Sequence, residues 1–214
     1  MKEKKNKNKQ RVLAFTIADD NNLQYYEKLK NSLKYWHPDL ELRLIGGTEL
    51  QGLLQKDPQF FYRATPALAW NFIKDYDVVI KADCDQVITG DISHTWQGDF
   101  DIAVVNNSNP RELKKYPVSV WNIHPLSYLN CGFVVMKSQA FIDHWLGLCT
   151  SPHFLNYQFR EQDLLNILCS DYHNYKVKWL EEKDFYGEQA KPYWLELWLE
   201  RPMSPTFIFL VRNS

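Results

Sequence analysis

The chain has 214 residues, of which 45% are hydrophobic and 15% aromatic, enough to build the core of one large domain. The formal net charge of −1 supplies no overall positive field for nucleic acid or a membrane surface. No run of 18 apolar residues predicts a spanning helix, and the basic segment 1–10 lacks the apolar centre of a signal peptide. The four cysteines form no CxxC or zinc pattern. We therefore expect a disordered basic tail at 1–10, a single domain over 11–214 and a cytoplasmic location.

The spacing of apolar residues predicts strands that alternate with helices. The first half is predicted to contain a strand at 11–18, a helix at 23–36, a strand at 42–45, a helical region at 60–74 and a strand at 78–82. The second half is predicted to contain strands at 101–105, 132–136 and 177–180 and helices at 140–149 and 162–169. This alternation is typical of an α/β fold with a largely parallel or mixed sheet. No GxGxxG follows the first strand, so the dinucleotide-binding fingerprint is absent.

Two aspartates, Asp83 and Asp85, follow the predicted strand at 78–82. Side chains at i and i+2 of an extended segment point the same way, so both carboxylates can face one ion. Oxygen-rich sites suit Mg²⁺ or Mn²⁺ and are often completed by substrate phosphates. Ligands of α/β sheets bind at the ends of strands. The pair thus predicts a divalent metal that holds a phosphorylated ligand, with a purely structural pair as the open alternative.

Four segments share one order along the chain: FTIADDN at 15–21, FYRATPALAW at 61–70, DCD at 83–85, and LNCGF at 129–133 followed by EQDLLN at 161–166. This order resembles the nucleotide-sugar glycosyltransferases of the GT-A fold. It most resembles the retaining family eight, which includes lipopolysaccharide galactosyltransferases and glycogenin. The resemblance covers residues 11–180 and implies a single-domain α/β fold, with a GT-A-like (Rossmann-like) mixed sheet flanked by helices.

The resemblance implies a role for each matched residue. Ala18, Asp19 and Asn21 would line the pocket for uracil and ribose, and Arg63 would lie near the sugar-phosphate. The segment Asp83-Cys84-Asp85 would bind the diphosphate, with Asp83 and Asp85 as ligands of Mn²⁺ or Mg²⁺. Asn130 and Gly132 would border the donor sugar, and Glu161, Gln162 and Asp163 match the family's DQD segment, with Glu in place of the first Asp. The implied reaction moves a sugar from a UDP-sugar to a glycan, a lipid-linked sugar or a protein, with retention of anomeric configuration.

The chemistry of this reaction needs residues of these types. A dication and an arginine neutralise the charge that develops on a leaving diphosphate. Oxygens near the anomeric carbon stabilise its oxocarbenium-like charge. Gln162 is the first choice for this task, with Glu161 and Asp163 beside it, because an amide oxygen needs no pKa adjustment. Structural alternatives are open at Asp19 as a helix cap, at Arg63 as an ion pair and at Glu161 as an acid in a first helical turn.

One segment departs from the family's pattern. The family usually completes its metal site with a histidine in an HxxGxxKPW-like segment, and residues 186–194 read YGEQAKPYW, without that histidine. The missing histidine leaves open a non-catalytic nucleotide-sugar-binding protein. A second alternative comes from the segment DCDQV at 83–87, which also fits the DxDx[TV] motif of haloacid-dehalogenase-type phosphatases, in which Asp83 would attack phosphorus and Asp85 would act as acid and base.

Overall fold

The computed structural model describes residues 10–106, 128–157, 159–170 and 174–180. The predicted tail, apart from its last residue, and the YGEQAKPYW segment at 186–194 lie outside these ranges. Within them, no helix combines the length and the apolar character that crossing a membrane requires.

The described residues form a six-stranded mixed sheet with the strand order β2-β1-β3-β5-β4-β6. The strands are β1 (Val12–Ala18), β2 (Glu41–Gly46), β3 (Val78–Ala82), β4 (Ile102–Asn106), β5 (Leu129–Met136) and β6 (Val177–Leu180). Strand β1 is parallel to β2 and β3, and β6 is parallel to β4, whereas β5 is antiparallel to both β3 and β4. The predicted mixed α/β sheet is thus confirmed.

Helices cover both faces of this sheet. They are α1 (Leu23–Trp36), α2 (Gly47–Lys56), α3 (Ala64–Phe72), α4 (Gln139–Cys149) and α5 (Glu161–Leu168). One buried cluster joins α2, α3, α4 and α5 to the face of β3 that carries Val79. A second cluster joins α1 to the opposite face, which carries Val78 and Ile80. The alternation of side chains along a strand explains this division.

Apart from shifts of one residue at element ends, the predicted elements differ from the structure in three places. The helical region at 60–74 divides into a 3₁₀ turn, Phe60–Arg63, and helix α3. Strand β5 begins at Leu129, three residues before its predicted start. Helix α2 was not predicted, because it begins at a glycine, has a second glycine at Gly52 between its leucines, and buries only Leu50 fully.

The strand directions bring the candidate residues to one edge of the sheet. Strands β1 and β3 end there, at Ala18 and Ala82, and the antiparallel β5 begins there. The backbone N–H of Asp83 donates to the carbonyl oxygen of Gly132 at 2.7 Å, which joins the end of β3 to the start of β5. We call this edge, with Ala18, Asp83 and Asn130 along it, the site edge.

Candidate functional site

Strand β5 leaves the regular ladder as it reaches the site edge. Val104 of β4 lies opposite Val134, but the next residue, Val105, lies opposite Asn130. Residues 131–133 are thus passed over in the pairing with β4. Bulges of this kind release peptide groups from the ladder and are frequent beside functional sites.

Side chains satisfy the peptide groups of Cys131 within this bulge. The Cys131 N–H donates to Oε1 of Gln162 at 3.0 Å. The Cys131 carbonyl oxygen accepts from Nζ of Lys81 at 2.7 Å. Buried peptide groups need such partners, because an unpaired one costs as much as a lost hydrogen bond. The bulge therefore fixes Lys81 of β3 and Gln162 of α5 against the same backbone segment.

Gly132 leaves a small space lined by polar atoms. Its N–H donates to Oδ1 of Asn130. A Cβ atom added at Gly132 would lie 2.6 Å from that Asn130 oxygen, 2.9 Å from Oδ2 of Asp83 and 3.4 Å from Nε2 of Gln86. Two of these separations are shorter than real Cβ contacts. Only a glycine fits here without a shift of its neighbours, and Gly132 is buried with its N–H bound to Asn130 and its carbonyl oxygen bound to Asp83.

The acidic segment is a turn and not an extension of β3. The strand ends at Ala82, and the Gln86 N–H donates to the Asp83 carbonyl oxygen at 3.1 Å. The expectation that Asp83 and Asp85 share the alternation of an extended strand is therefore wrong. Asp83 and Cys84 are half-buried, whereas Asp85 is buried. The turn thus separates the two carboxylates by depth.

The polar atoms of this turn fit a divalent cation in part. No group of three His, Cys, Asp or Glu side chains converges within the described ranges. Mg²⁺ is often held by one or two carboxylates, with phosphates and water completing its shell. Asp83 directs Oδ2 toward the space at Gly132, and Oε1 of Gln86 is buried without a hydrogen-bonding partner among the described residues. The Gln86 atom nearest to this space is Nε2, so the Asp83 carboxylate is the group that suits a hard dication there, with ligand phosphates completing its shell.

Lys81 lies behind the Asp83 carboxylate. Its Nζ donates to Oδ1 of Asp83, and 7% of the residue is exposed. Burial is the largest single effect and lowers the pKa of Lys81, but Asp83, together with Cys131 and Glu161, outweighs burial, and the pKa is raised. The two side chains therefore form an ion pair.

The first turn of α5 is bound to β5 through several side chains. Asp163 accepts from the hydroxyl of Tyr128 and from the backbone N–H of Phe159, both at 2.8 Å. Asn166 accepts from the N–H of Leu129 at 2.6 Å and donates to its carbonyl oxygen at 3.2 Å. These bonds hold the helix that carries Gln162 in a fixed position on the start of β5.

Glu161 joins α5 to α3. The backbone N–H and the hydroxyl of Thr65 both donate to its carboxylate. Desolvation raises the pKa of Glu161 to about 7, although the two Thr65 donors and the charge of Lys81 act in the opposite direction. The Glu161 carboxylate is thus part of the connection between helices.

Arg63 forms an ion pair with Asp57, which lies six residues earlier in the chain. Its Nε donates to Oδ2 of Asp57 at 2.8 Å, and its Nη2 contacts the same oxygen. Both side chains are half-buried. The ion-pair alternative is therefore realised, and a role for Arg63 at the sugar-phosphate stays a prediction. Arg63 lies two residues before Thr65, so it belongs to the segment that leads to Glu161.

The residues after β1 lie at the site edge but are mostly exposed. Ala18 is buried as the last residue of β1. Asp19 accepts from the backbone N–H of Asn22 at 3.0 Å and from its side-chain Nδ2 at 2.6 Å, so the cap alternative is realised. Asn21 is exposed within the 3₁₀ turn. A nucleoside pocket at Ala18, Asp19 and Asn21 stays a prediction.

Sequence reasoning did not identify four residues that organise the site, namely Thr65, Lys81, Gln86 and Asn166. One of them left a signal. Lys81 interrupts the apolar run VVIKA, and a charge inside a buried strand needs a partner. The other three act through contacts between distant parts of the chain or through a turn.

Similarity to known proteins is found at the level of structure. No protein-family model matches the chain, and no curated protein matches it. It is similar in structure to the galactosyltransferase LgtC in complex with donor and acceptor sugar analogs, with 18% identity, a TM-score of 0.56 and coverage of 78% of this chain and 72% of that one. It is also similar to the glycosyltransferase GlyE of Streptococcus pneumoniae TIGR4, with 17% identity, a TM-score of 0.54 and coverage of 97% and 55%.

A third match is a glycosyltransferase involved in the glycosylation of the major capsid of PBCV-1, with 11% identity, a TM-score of 0.53 and coverage of 87% and 90%. The chain spans about half the length of GlyE. The fold is that of the GT-A glycosyltransferases, as the order of motifs predicted. The resemblance to this class is thus confirmed at the level of fold.

Proposed function

We propose that this protein is a glycosyltransferase that moves a sugar from a UDP-sugar to a carbohydrate or glycoconjugate acceptor, with a divalent metal and with retention of configuration. One observation carries the proposal. The acidic turn after β3, the bulged start of β5 at Cys131 and Gly132, and the first turn of α5 are joined by hydrogen bonds at one edge of a GT-A fold. The similarity to galactosyltransferase LgtC supports the retaining family eight in particular.

The donor diphosphate would bind at the turn 83–86. Asp83 and Asp85 would hold Mn²⁺ or Mg²⁺, and the bound ion would supply positive charge to the leaving diphosphate. Cys84 would contact the diphosphate through its backbone, since it lies between the two carboxylates. Ala18, Asp19 and Asn21 would receive the nucleoside at the end of β1, on the same edge.

The donor sugar would lie against Asn130 and Gly132. Of the three residues at the start of α5, Gln162 is the strongest candidate to face the anomeric carbon. The Glu161 carboxylate accepts from Thr65, and the Asp163 carboxylate accepts from Tyr128 and Phe159. Oε1 of Gln162 accepts one bond from Cys131 and has a second lone pair, which can stabilise developing positive charge.

The two alternative functions predict different chemistry. A non-catalytic binder has the same nucleotide site but turns nothing over. A phosphatase needs an Asp83 oxygen free to attack phosphorus, and that oxygen would be Oδ2, because Lys81 holds Oδ1. The GT-A fold and the antiparallel β5 next to the acidic turn favour a nucleotide-sugar ligand over a simple phosphomonoester.

A panel of nucleotide sugars tests the proposal. We expect a UDP-sugar to raise the melting temperature, more strongly with Mn²⁺, and to be hydrolysed or transferred slowly. Gln162→Ala should lower turnover by about 100-fold with little effect on donor affinity. Gln51→Ala, on the exposed side of α2, is the matched control. Binding without turnover for every donor and acceptor would identify the binder, and phosphate release from simple phosphomonoesters would identify the phosphatase.

A further inference from the structure

Lys81 is a charged residue inside a buried strand. All five residues of β3 are buried, and Lys81 lies opposite Val134 of β5 on the face that also carries Val79. A charge in such a place is strongly unfavourable unless it is paired and hydrogen-bonded. The contacts that stabilise the Lys81 ammonium therefore indicate the role of its charge.

Those contacts all lie at the site edge. Nζ of Lys81 donates to Oδ1 of Asp83 and to the carbonyl oxygen of Cys131. The ammonium thus occupies the protein side of the Asp83 carboxylate. Oδ2 of Asp83 faces the space at Gly132, on the side of the carboxylate away from the Oδ1 that Lys81 holds. Any ion that binds Oδ2 will therefore lie on the other side of the same carboxylate from the fixed positive charge of Lys81.

The charge balance at the turn follows from this placement. Asp83 and Asp85 bring two negative charges, and Lys81 returns one positive charge. Without a metal, an incoming diphosphate meets a net charge of −1 at these three groups instead of −2. With a dication bound, the same groups present a net positive charge of one instead of none. Lys81 attracts the diphosphate in both states, but it also repels the dication. Its net contribution to nucleotide binding is therefore larger when the diphosphate binds without a metal.

We infer that Lys81 is a resident positive charge of the diphosphate site, which acts through Asp83 and makes nucleotide binding less dependent on a divalent metal. The inference rests on the proposed function, because it takes the diphosphate of a nucleotide as the ligand. Lys81 is a positioning residue in this scheme. Lys81 orients the Asp83 carboxylate from the protein side. It also supplies a positive charge that is present before any metal binds.

Calorimetric titration with UDP, in Mn²⁺ and separately in EDTA, tests the inference. We expect wild type to retain measurable UDP binding in EDTA. Lys81→Met should weaken the binding in EDTA by about tenfold or more, so that the ratio of affinities with and without metal increases. Titration of Mn²⁺ alone, followed by electron paramagnetic resonance, should show tighter metal binding by Lys81→Met than by wild type.

Lys137→Met is the matched control. Lys137 follows the end of β5 at the opposite edge of the sheet, and its Nζ donates to the carbonyl oxygen of Gly98. It should change neither the metal ratio nor the affinity for Mn²⁺ alone. A Lys81→Met variant with the metal ratio of wild type overturns the inference. If that variant does not fold, the wild-type titrations decide, because UDP binding in Mn²⁺ with none in EDTA also overturns it. If wild type binds UDP in neither condition, the proposed function fails instead.

Discussion

Thr65 holds the carboxylate of Glu161 with two donors, its backbone N–H at 3.2 Å and its hydroxyl at 2.6 Å, although 96 positions separate the two residues in the chain. The contact joins the start of α3 to the first turn of α5. Trp145 of α4 adds a third helix, because its indole N–H donates to the Glu161 carbonyl oxygen at 2.9 Å. Glu161 is thus the point where three helices are fixed relative to the site edge.

This contact predicts a pH dependence of stability. The pKa of Glu161 rises from an ordinary value of 4.5 to about 7 in the folded protein. The folded state therefore binds this proton more strongly than the unfolded chain, and the free energy of unfolding falls as the pH rises from about 4.5 to about 7. Glu161→Gln should be more stable relative to wild type at pH 8 than at pH 5, by about 1–3 kcal/mol.

Urea denaturation of both proteins at the two pH values measures this difference. Glu27→Gln, an exposed substitution on α1, is the control and should show no such change. An equal stability difference at pH 5 and pH 8 for Glu161→Gln would contradict the prediction.

Gly132→Ala should damage the site more than the fold. The added methyl group would displace Asn130 and Asp83, so we expect UDP binding to weaken by about tenfold or more and stability to fall by about 1–3 kcal/mol. Gly147→Ala in α4 is the control, since nothing lies within 4 Å of its added Cβ. There, an alanine should stabilise the helix by about 0.5–1 kcal/mol. Unchanged UDP affinity in a folded Gly132→Ala protein would show that no ligand approaches this backbone.

The acidic turn should carry the metal-dependent part of UDP binding. Asp83→Asn and Asp85→Asn each remove a negative charge that a dication requires, so calorimetry should show the same UDP affinity with and without Mn²⁺. Asp143→Asn on α4, where Asp143 accepts from Gln139, leaves the turn intact and serves as the control. Wild-type metal enhancement in both turn variants would remove the metal from the proposal.

Variants at Arg63 and at its ion-pair partner Asp57 distinguish a structural role of Arg63 from a role in binding the diphosphate. If the pair with Asp57 is its whole function, Arg63→Ala and Asp57→Asn should cost about 0.5–1 kcal/mol of stability each and leave turnover alone. We expect Arg63→Ala to lower kcat by about tenfold or more while Asp57→Asn does not. Steady-state kinetics and thermal melts on both variants decide between the two, and equal kinetic effects would favour the structural role.

Local patterns predicted the elements that depend on local contacts. Helix α1 occupies 23–36 as predicted, because its apolar spacing matches the helical period over the whole length. Strand β3 occupies Val78–Ala82 as predicted, because a β-branched run is buried on both faces. The predicted strands in turn indicated the edge of the sheet at which the polar residues lie.

The failures share a physical cause. The turn after β3 depends on one backbone hydrogen bond from Gln86 to Asp83, which no side-chain pattern reveals. The contact between Lys81 and Cys131 depends on the bulge in β5, and the bulge depends on the register of β4. Register between strands is a tertiary property, so the residues that organise the site could not be read from their own neighbourhoods.

Because of the bulge in β5, the backbone amide of Cys131 reports on the position of the Gln162 side chain. The Cys131 amide is held by Gln162 and the Gly132 amide by Asn130, whereas the pairing of β5 with β3 begins at Phe133. The rate of hydrogen–deuterium exchange at Cys131 therefore measures how often the Gln162 side chain moves away. A ligand that fixes or displaces Gln162 will alter exchange at this single position while the neighbouring ladder amides keep their rates, so occupancy of the site is readable at one peptide group.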